Sequence, residues 1–215
     1  MARTSTILLF ARHGETDDNR RLVFQGQSGK GLNARGRAQA RRLAERLKHI
    51  RPDAVVASDL ERALETAHFV AAACERNIEL DRDLREVDVG TWTGKSHDEI
   101  AKAYPEEWAA WTSGLDVRRG GGETYAELAE RIERAVVRAV RDHAGKRVLF
   151  VSHGGAIKAY VARVLGVSPE GLRALAGVGN CGLTNIEREA SGRARLHTWN
   201  DTAHLEGLVV DEHTD

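Results

Sequence analysis

Two histidines stand at the ends of apolar runs. Ile7-Leu8-Leu9-Phe10-Ala11 leads into Arg12-His13-Gly14-Glu15-Thr16, and Val148-Leu149-Phe150-Val151 leads into Ser152-His153-Gly154-Gly155. An imidazole is both a nucleophile and a proton carrier near neutral pH. A third run, Ala54-Val55-Val56-Ala57, leads into Ser58-Asp59-Leu60-Glu61-Arg62. That pattern opens a helix and puts Arg62 on its first turn, at the positive end. If the three runs are strands of one parallel sheet, their carboxyl ends share an edge, where open α/β sheets bind ligands. Arg12, His13, Arg62 and His153 would then converge with helix N-termini on one pocket. Such a set suits a tetrahedral dianion.

The elements that must hold these residues are readable in outline. Asn33 can cap a helix from Ala34 to about His49, with Leu43, Ala44 and Leu47 on one face. Ser58 with Glu61 reads as a capping box for a helix running to Cys74. Ile78 to Glu86 reads as a strand or extended segment, and Asp17 to Lys30 as loop. Residues 87–122 weaken in pattern and hold Trp92, Trp108, Trp111 and Tyr104, which reads as an irregular, partly helical cap inserted over the sheet edge. Within it Ser96 and Glu99 form a second capping box, and His97 is a candidate for the pocket wall. Thr124 with Glu127 starts the clearest helix, and Ala156 to Leu165 is a helix stopped by Gly166. Ser168-Pro169-Glu170 starts a short helix, and 181–187 and 194–199 read as two last strands. The tail past His204 reads as frayed. Strands alternating with helices indicate an α/β three-layer sandwich with a mostly parallel central sheet, as a single domain over 1–215.

Composition narrows the partners. The 215 residues carry 32 basic and 32 acidic side chains, so no global field draws the chain to nucleic acid or to an anionic membrane. An anionic ligand must be held by a local cluster. No run approaches the apolar length of a membrane span, and the apolar stretch after Met1 is too short for a signal segment, so a cytoplasmic protein is expected. Cys74 and Cys181 read as two small buried side chains. Gly177-Val178-Gly179-Asn180-Cys181-Gly182 fits a dinucleotide fingerprint literally. It lacks the preceding strand and following helix that such a site needs, so it reads as a flexible turn near the pocket.

Leu9 to Thr16 resembles the signature of the histidine phosphatase superfamily, which includes cofactor-dependent phosphoglycerate mutases. The likeness continues through Asn19, Gln25-Gly26, the segment from Ala57 to Ala67, Leu84-Arg85-Glu86-Val87-Asp88-Val89-Gly90, Gly121-Gly122-Glu123-Thr124 and Val151 to Gly155. It spans roughly Ile7 to Leu205. The resemblance implies that His13 attacks phosphorus through one ring nitrogen while the other bonds a backbone carbonyl. Arg12, Arg62 and a protonated His153 would bind the phosphoryl oxygens, with Asn19, Gln25, Gly26 and the amides near Gly154 as further phosphate contacts. Glu86 would protonate the leaving group and then activate water, with Asp88 as the fallback acid. No metal or other cofactor is implied; the partner is a small phosphorylated metabolite, and a homodimer is expected at the family level.

Within the family, a phosphatase is the expected branch. The chain is shorter than the mutases it resembles, and its acid segment lacks the mutase-like Glu-Arg-His-Tyr-Gly, with Val89 at the tyrosine. A mutase also calls for extra bases in the cap, and Arg118-Arg119 sit beside a flexible glycine run. The aromatic cap suits either a bulkier leaving group or core packing. The alternatives are a phosphoglycerate mutase-type transferase and a phosphate-ester binding protein without turnover. The intact set of His13, Arg62, Glu86 and His153 argues against the binder.

Overall fold

The computed structural model describes residues 5–168 and 170–209. In chain order the elements are β1 (Ser5–Arg12), α1 (Asp17–Arg20), α2 (Ala34–Ile50), β2 (Ala54–Ala57), α3 (Glu61–Cys74), β3 (Ile78–Leu80), α4 (His97–Ala103), α5 (Pro105–Ser113), α6 (Tyr125–Asp142), β4 (Arg147–Ser152), α7 (Gly154–Leu165), β5 (Leu183–Glu189) and β6 (Ala194–Asp201). The sheet order is β3-β2-β4-β1-β5-β6. The pairs β3–β2, β2–β4 and β4–β1 are parallel, while β5 and β6 add an antiparallel edge. This is the expected α/β sandwich with a mostly parallel sheet.

The continuous apolar runs of the central strands have a simple cause: both faces of the sheet are covered. Leu8, Phe10, Val56 and Phe150 point to a core shared with α6, α7 and the cap residues Trp92 and Ile100. Leu9, Ala11, Val55 and Leu149 point the other way, onto Leu43, Leu47, Ala63 and Val70 of α2 and α3. The strand period of two sorts one apolar run into two cores. Register aligns Arg12 with Ser152 and Ala57 with Val151, so the three site-bearing loops leave the same edge at the same level.

Several local expectations are corrected. The segment read as loop after Thr16 begins with α1. Thr16 Oγ1 accepts the Asn19 N–H, and the Asn19 amide oxygen accepts the Thr16 N–H, closing a capping box with asparagine in place of glutamate. Ser58 does not cap α3, whose N-cap is Leu60 without a side-chain bond. The Ser58 hydroxyl is directed to His153 instead. The strand expected over 78–86 stops at Leu80, because Asp81 caps a 3-10 turn at Arg82–Leu84. A 3-10 helix at Glu170–Ala174 stands near the short helix expected after Gly166, and Pro169 lies outside the described residues, as do 210–215 of the tail. Of the cysteines, Cys181 is buried and Cys74 only partly so.

The cap follows the expected outline, with α4, α5 and 3-10 turns at Gly90–Trp92 and Arg119–Gly121. Its glycine run is packed. A Cβ on Gly90 would fall 2.0 Å from the Gly120 carbonyl oxygen, and one on Gly122 would fall 2.2 Å from that of Asp88. Gly120 also holds φ +55°, a left-handed backbone that favours glycine. The glycines let two backbone segments touch.

The same device fixes the loop after β1. A Cβ on Gly36 of α2 would fall 2.1 Å from the Glu15 carbonyl oxygen, and one on Gly14 would fall 2.4 Å from the Gly36 carbonyl oxygen. Gly36→Ala therefore pries α2 from this loop. The expected cost is about 1–3 kcal/mol, read as a fall of several degrees in Tm. An unchanged Tm would contradict this packing.

Candidate active site

The pocket is built from its floor upward. The His13 imidazole is buried at the end of β1. Its Nδ1 lies 2.7 Å from the Gly14 carbonyl oxygen, an acceptor only, so Nδ1 carries the proton. Nε2 is left with its lone pair and accepts the Arg62 Nε–H at 3.2 Å. Burial, Arg62 and Arg12 together hold His13 well below the ordinary histidine value of 6.5.

Arg62, on the first turn of α3, is 1% exposed. Its Nη1 donates to the Ser28 carbonyl at 2.5 Å and its Nη2 to the Gly26 carbonyl at 2.7 Å. Among the described residues no carboxylate forms an ion pair with it. Burial lowers its pKa to about 10, which still leaves it charged at neutral pH. Arg12 donates through Nη1 to the Val178 carbonyl at 2.6 Å, while its Nε is buried without a partner.

His153 caps α7 and lies with its ring centroid 5.2 Å from that of His13. Its Nε2 is 2.8 Å from Ser58 Oγ, and its Nδ1 is buried without a partner. Burial, with Arg62, His13, Arg12 and Arg131, pushes it well below 6.5. The expected protonated His153 is thus corrected: the cations that surround it disfavour a further positive charge. Glu86 also differs from expectation in its setting. Its carboxylate accepts the amides of Val87, Gly155 and Ala156 at 2.9, 3.1 and 3.2 Å. Two of the α7 amides expected to face phosphate therefore hold Glu86, and Gly154 is the first-turn residue left. Gly155 has no side chain because a Cβ would fall 2.5 Å from the Glu86 Oε1.

Arg12, His13, Asn19, Gln25, Gly26, Arg62 and Glu86 all line one cavity of about 190 Å³. The Asn19 oxygen is occupied by Thr16 and Asn180, so its Nδ2 is the group left to donate. The Gln25 Oε1 is buried without a partner. Asp88 turns away: its carboxylate caps the Gly90 amide and it is exposed. His97 is outside the pocket wall and packs on Phe24 and Trp108, with centroids 4.9 and 5.4 Å apart. Trp92 is core, whereas Trp111 reaches the cavity. Among the described residues no three His, Cys, Asp or Glu side chains cluster as metal ligands. No helix there is long and apolar enough to cross a membrane.

Three contributors escaped the sequence reading. Asn180, inside the false dinucleotide motif, donates to the His13 carbonyl at 3.0 Å and to Asn19 at 3.2 Å. The loop is pinned, since the Cys181 N–H bonds the Arg12 carbonyl and the Gly179 N–H bonds Asn200. Ser58 was taken for a cap. Arg119, taken for a base beside a flexible run, is 3% exposed and lines the cavity with Tyr125. The glycine cluster beside it was the usable signal, because such clusters mark close backbone approach.

Comparison with known proteins identifies the family. The model of the histidine phosphatase superfamily (branch 1) matches residues 8–202. The chain belongs to the histidine phosphatase superfamily. Its relatives include phosphoglycerate mutase-like protein 4 of Arabidopsis thaliana, 35% identical over 204 residues that cover 93% of this chain and 86% of that one. Among solved structures, a mycobacterial glucosyl-3-phosphoglycerate phosphatase superposes with a TM-score of 0.84 at 32% identity, covering 90% of this chain and 98% of that one. A phosphoserine phosphatase mutant from Entamoeba histolytica, in complex with phosphoserine, superposes with a TM-score of 0.83 at 27% identity, covering 93% and 99%.

In this superfamily member both site histidines resist protonation when folded, whereas an unfolded chain takes up those protons near pH 6.5. Stability is therefore complete above that pH and declines as pH falls below it. Imidazole titration by NMR should find His13 and His153 still neutral at pH 6. Midpoints at or above 6.5 would contradict the electrostatics of this pocket.

Proposed function

We propose that this chain is a phosphatase that hydrolyses phosphate monoesters without a metal, through a phosphohistidine on His13. The observation that carries the reading is the tautomer of His13. Its Nδ1–H is spent on Gly14, and its bare Nε2 opens on a pocket of arginines. The likeness to a glucosyl-3-phosphoglycerate phosphatase and to a phosphoserine phosphatase, with the family, supports a phosphoric monoester hydrolase.

In the first step the Nε2 lone pair forms the N–P bond as the P–O bond to the leaving group breaks. The Arg62 Nε–H leaves Nε2 for a phosphoryl oxygen, and the Arg12 Nε–H binds another. Developing charge thereby meets fixed donors in a water-poor site. A dianion among these cations also reverses the field at His153, which can then hold a proton and donate. Glu86, as the acid, gives its proton to the departing alkoxide. In the second step water attacks phosphorus, Glu86 takes the water's proton, and the N–P bond breaks with its electron pair returning to Nε2.

A mutase-type transferase is the second reading, favoured by the likeness to the Arabidopsis phosphoglycerate mutase-like protein. Phosphate release from a panel of monoesters, assayed in EDTA, separates the two. Release that vanishes in His13→Ala is the expected result. No release, with 3-phosphoglycerate isomerised when bisphosphoglycerate is added, would replace this reading with the mutase. Glu86→Gln should slow alkyl phosphates by roughly 10²–10⁴-fold and an aryl phosphate far less, since a phenoxide departs without an acid. Equal losses on both would contradict the proton-donor role.

A further inference from the structure

Arg119 is the cation of the pocket that phosphoryl transfer does not use. Its backbone is set by the contact of Gly120 and Gly122 with Gly90 and Asp88. The Gly120 N–H bonds the Glu107 carboxylate at 3.0 Å, and the Glu123 N–H bonds the Asp88 carbonyl at 2.8 Å. The guanidinium stacks over the Tyr125 ring at 4.2 Å. Stacking occupies the flat face of the group and leaves its donor edges free. Two of those donors, Nε and Nη2, are buried without a partner. Among the described residues no ion pair includes Arg119, although the chain is rich in them elsewhere. A buried, unpaired charge held this firmly at a cavity wall is a site for an anion.

We propose that Arg119 determines specificity by binding a carboxylate on the leaving group of the ester. This rests on the phosphatase reading of the same pocket. The phosphoryl group must sit at His13, Arg12 and Arg62, at the sheet edge. Arg119 arrives from the cap with Trp111 and Tyr125, so it meets the other half of the substrate. One guanidinium edge matches one planar monoanion in charge and in shape. A second phosphate would bring two charges to one cation. The cavity of about 190 Å³ suits a small phosphorylated acid.

The test compares 3-phosphoglycerate with glycerol 3-phosphate, which is similar in size but lacks the carboxylate. Calorimetry on the full-length His13→Ala chain should show 3-phosphoglycerate binding more tightly by on the order of ten- to a hundredfold. Adding Arg119→Gln should collapse that preference toward parity, and Arg119→Lys should retain part of it. The kcat/KM ratio for the two esters in the otherwise unmodified chain should collapse in the same way. Equal affinities for the two esters, or a preference that survives Arg119→Gln, would overturn the proposal. So would tighter binding of 1,3-propanediol bisphosphate than of 3-phosphoglycerate. If Arg119→Gln does not fold, the comparison of esters on His13→Ala alone still decides. An Arg119-dependent preference without phosphate release from any ester would support the carboxylate site and sink the phosphatase reading.

Discussion

A buried guanidinium without a carboxylate partner organises this molecule. Arg62 joins α3 to the loop at 26–28 through two carbonyls and reaches His13 Nε2 through its Nε–H. A buried charge satisfied only by dipoles retains most of its field. Burial first, and that field second, hold His13 and His153 well below the ordinary histidine value, and the field makes the pocket a place where negative charge is welcome. The Thr66 hydroxyl links the same helix turn to the nucleophile loop, accepting the Gly14 N–H and donating to the Arg62 carbonyl. The end of β1, the α3 N-terminus and the loop at 26–28 are thus tied together.

Glu86 is positioned by a different principle. Glu86 sits across the N-terminus of α7, where free amides and the helix dipole attract a carboxylate. Arg131 fastens the segment from behind, donating to the carbonyls of Asp83, Arg85 and Glu86 and to the Glu123 carboxylate. Arg85, its neighbour, is locked to Asp59 by two bonds of 2.6 Å. The charged residues of this segment therefore divide by task, with Glu86 facing the cavity while Arg85 and Asp88 hold the loop.

Much of this was legible in the sequence, and the reason is local. Apolar runs bounded by His13 and His153 specify buried strands and the loops after them, so the sheet edge and its two imidazoles could be read directly. Arg62 falls on the first turn although Ser58 does not cap the helix, because α3 starts at Glu61, still within a turn of the start that a cap at Ser58 implies. Glu86 rested on resemblance, since its surroundings come from α7, nearly seventy residues away in sequence. Arg119 was the main loss. Its burial depends on glycine contacts between the Gly90 and Gly120 segments, and sequence records the glycines without recording what they touch. Asn180 was hidden in the same way inside a motif with another meaning.

The central claim is that a phosphoryl group passes through His13 Nε2. Rapid mixing with a phosphate monoester, an alkaline quench that spares phosphoramidates, and peptide mass spectrometry test it directly. The account expects one phosphoryl group on His13, attached at Nε2 and lost on acid treatment. A full rate of turnover with His13 unmodified, or with the label on His153 instead, would contradict it.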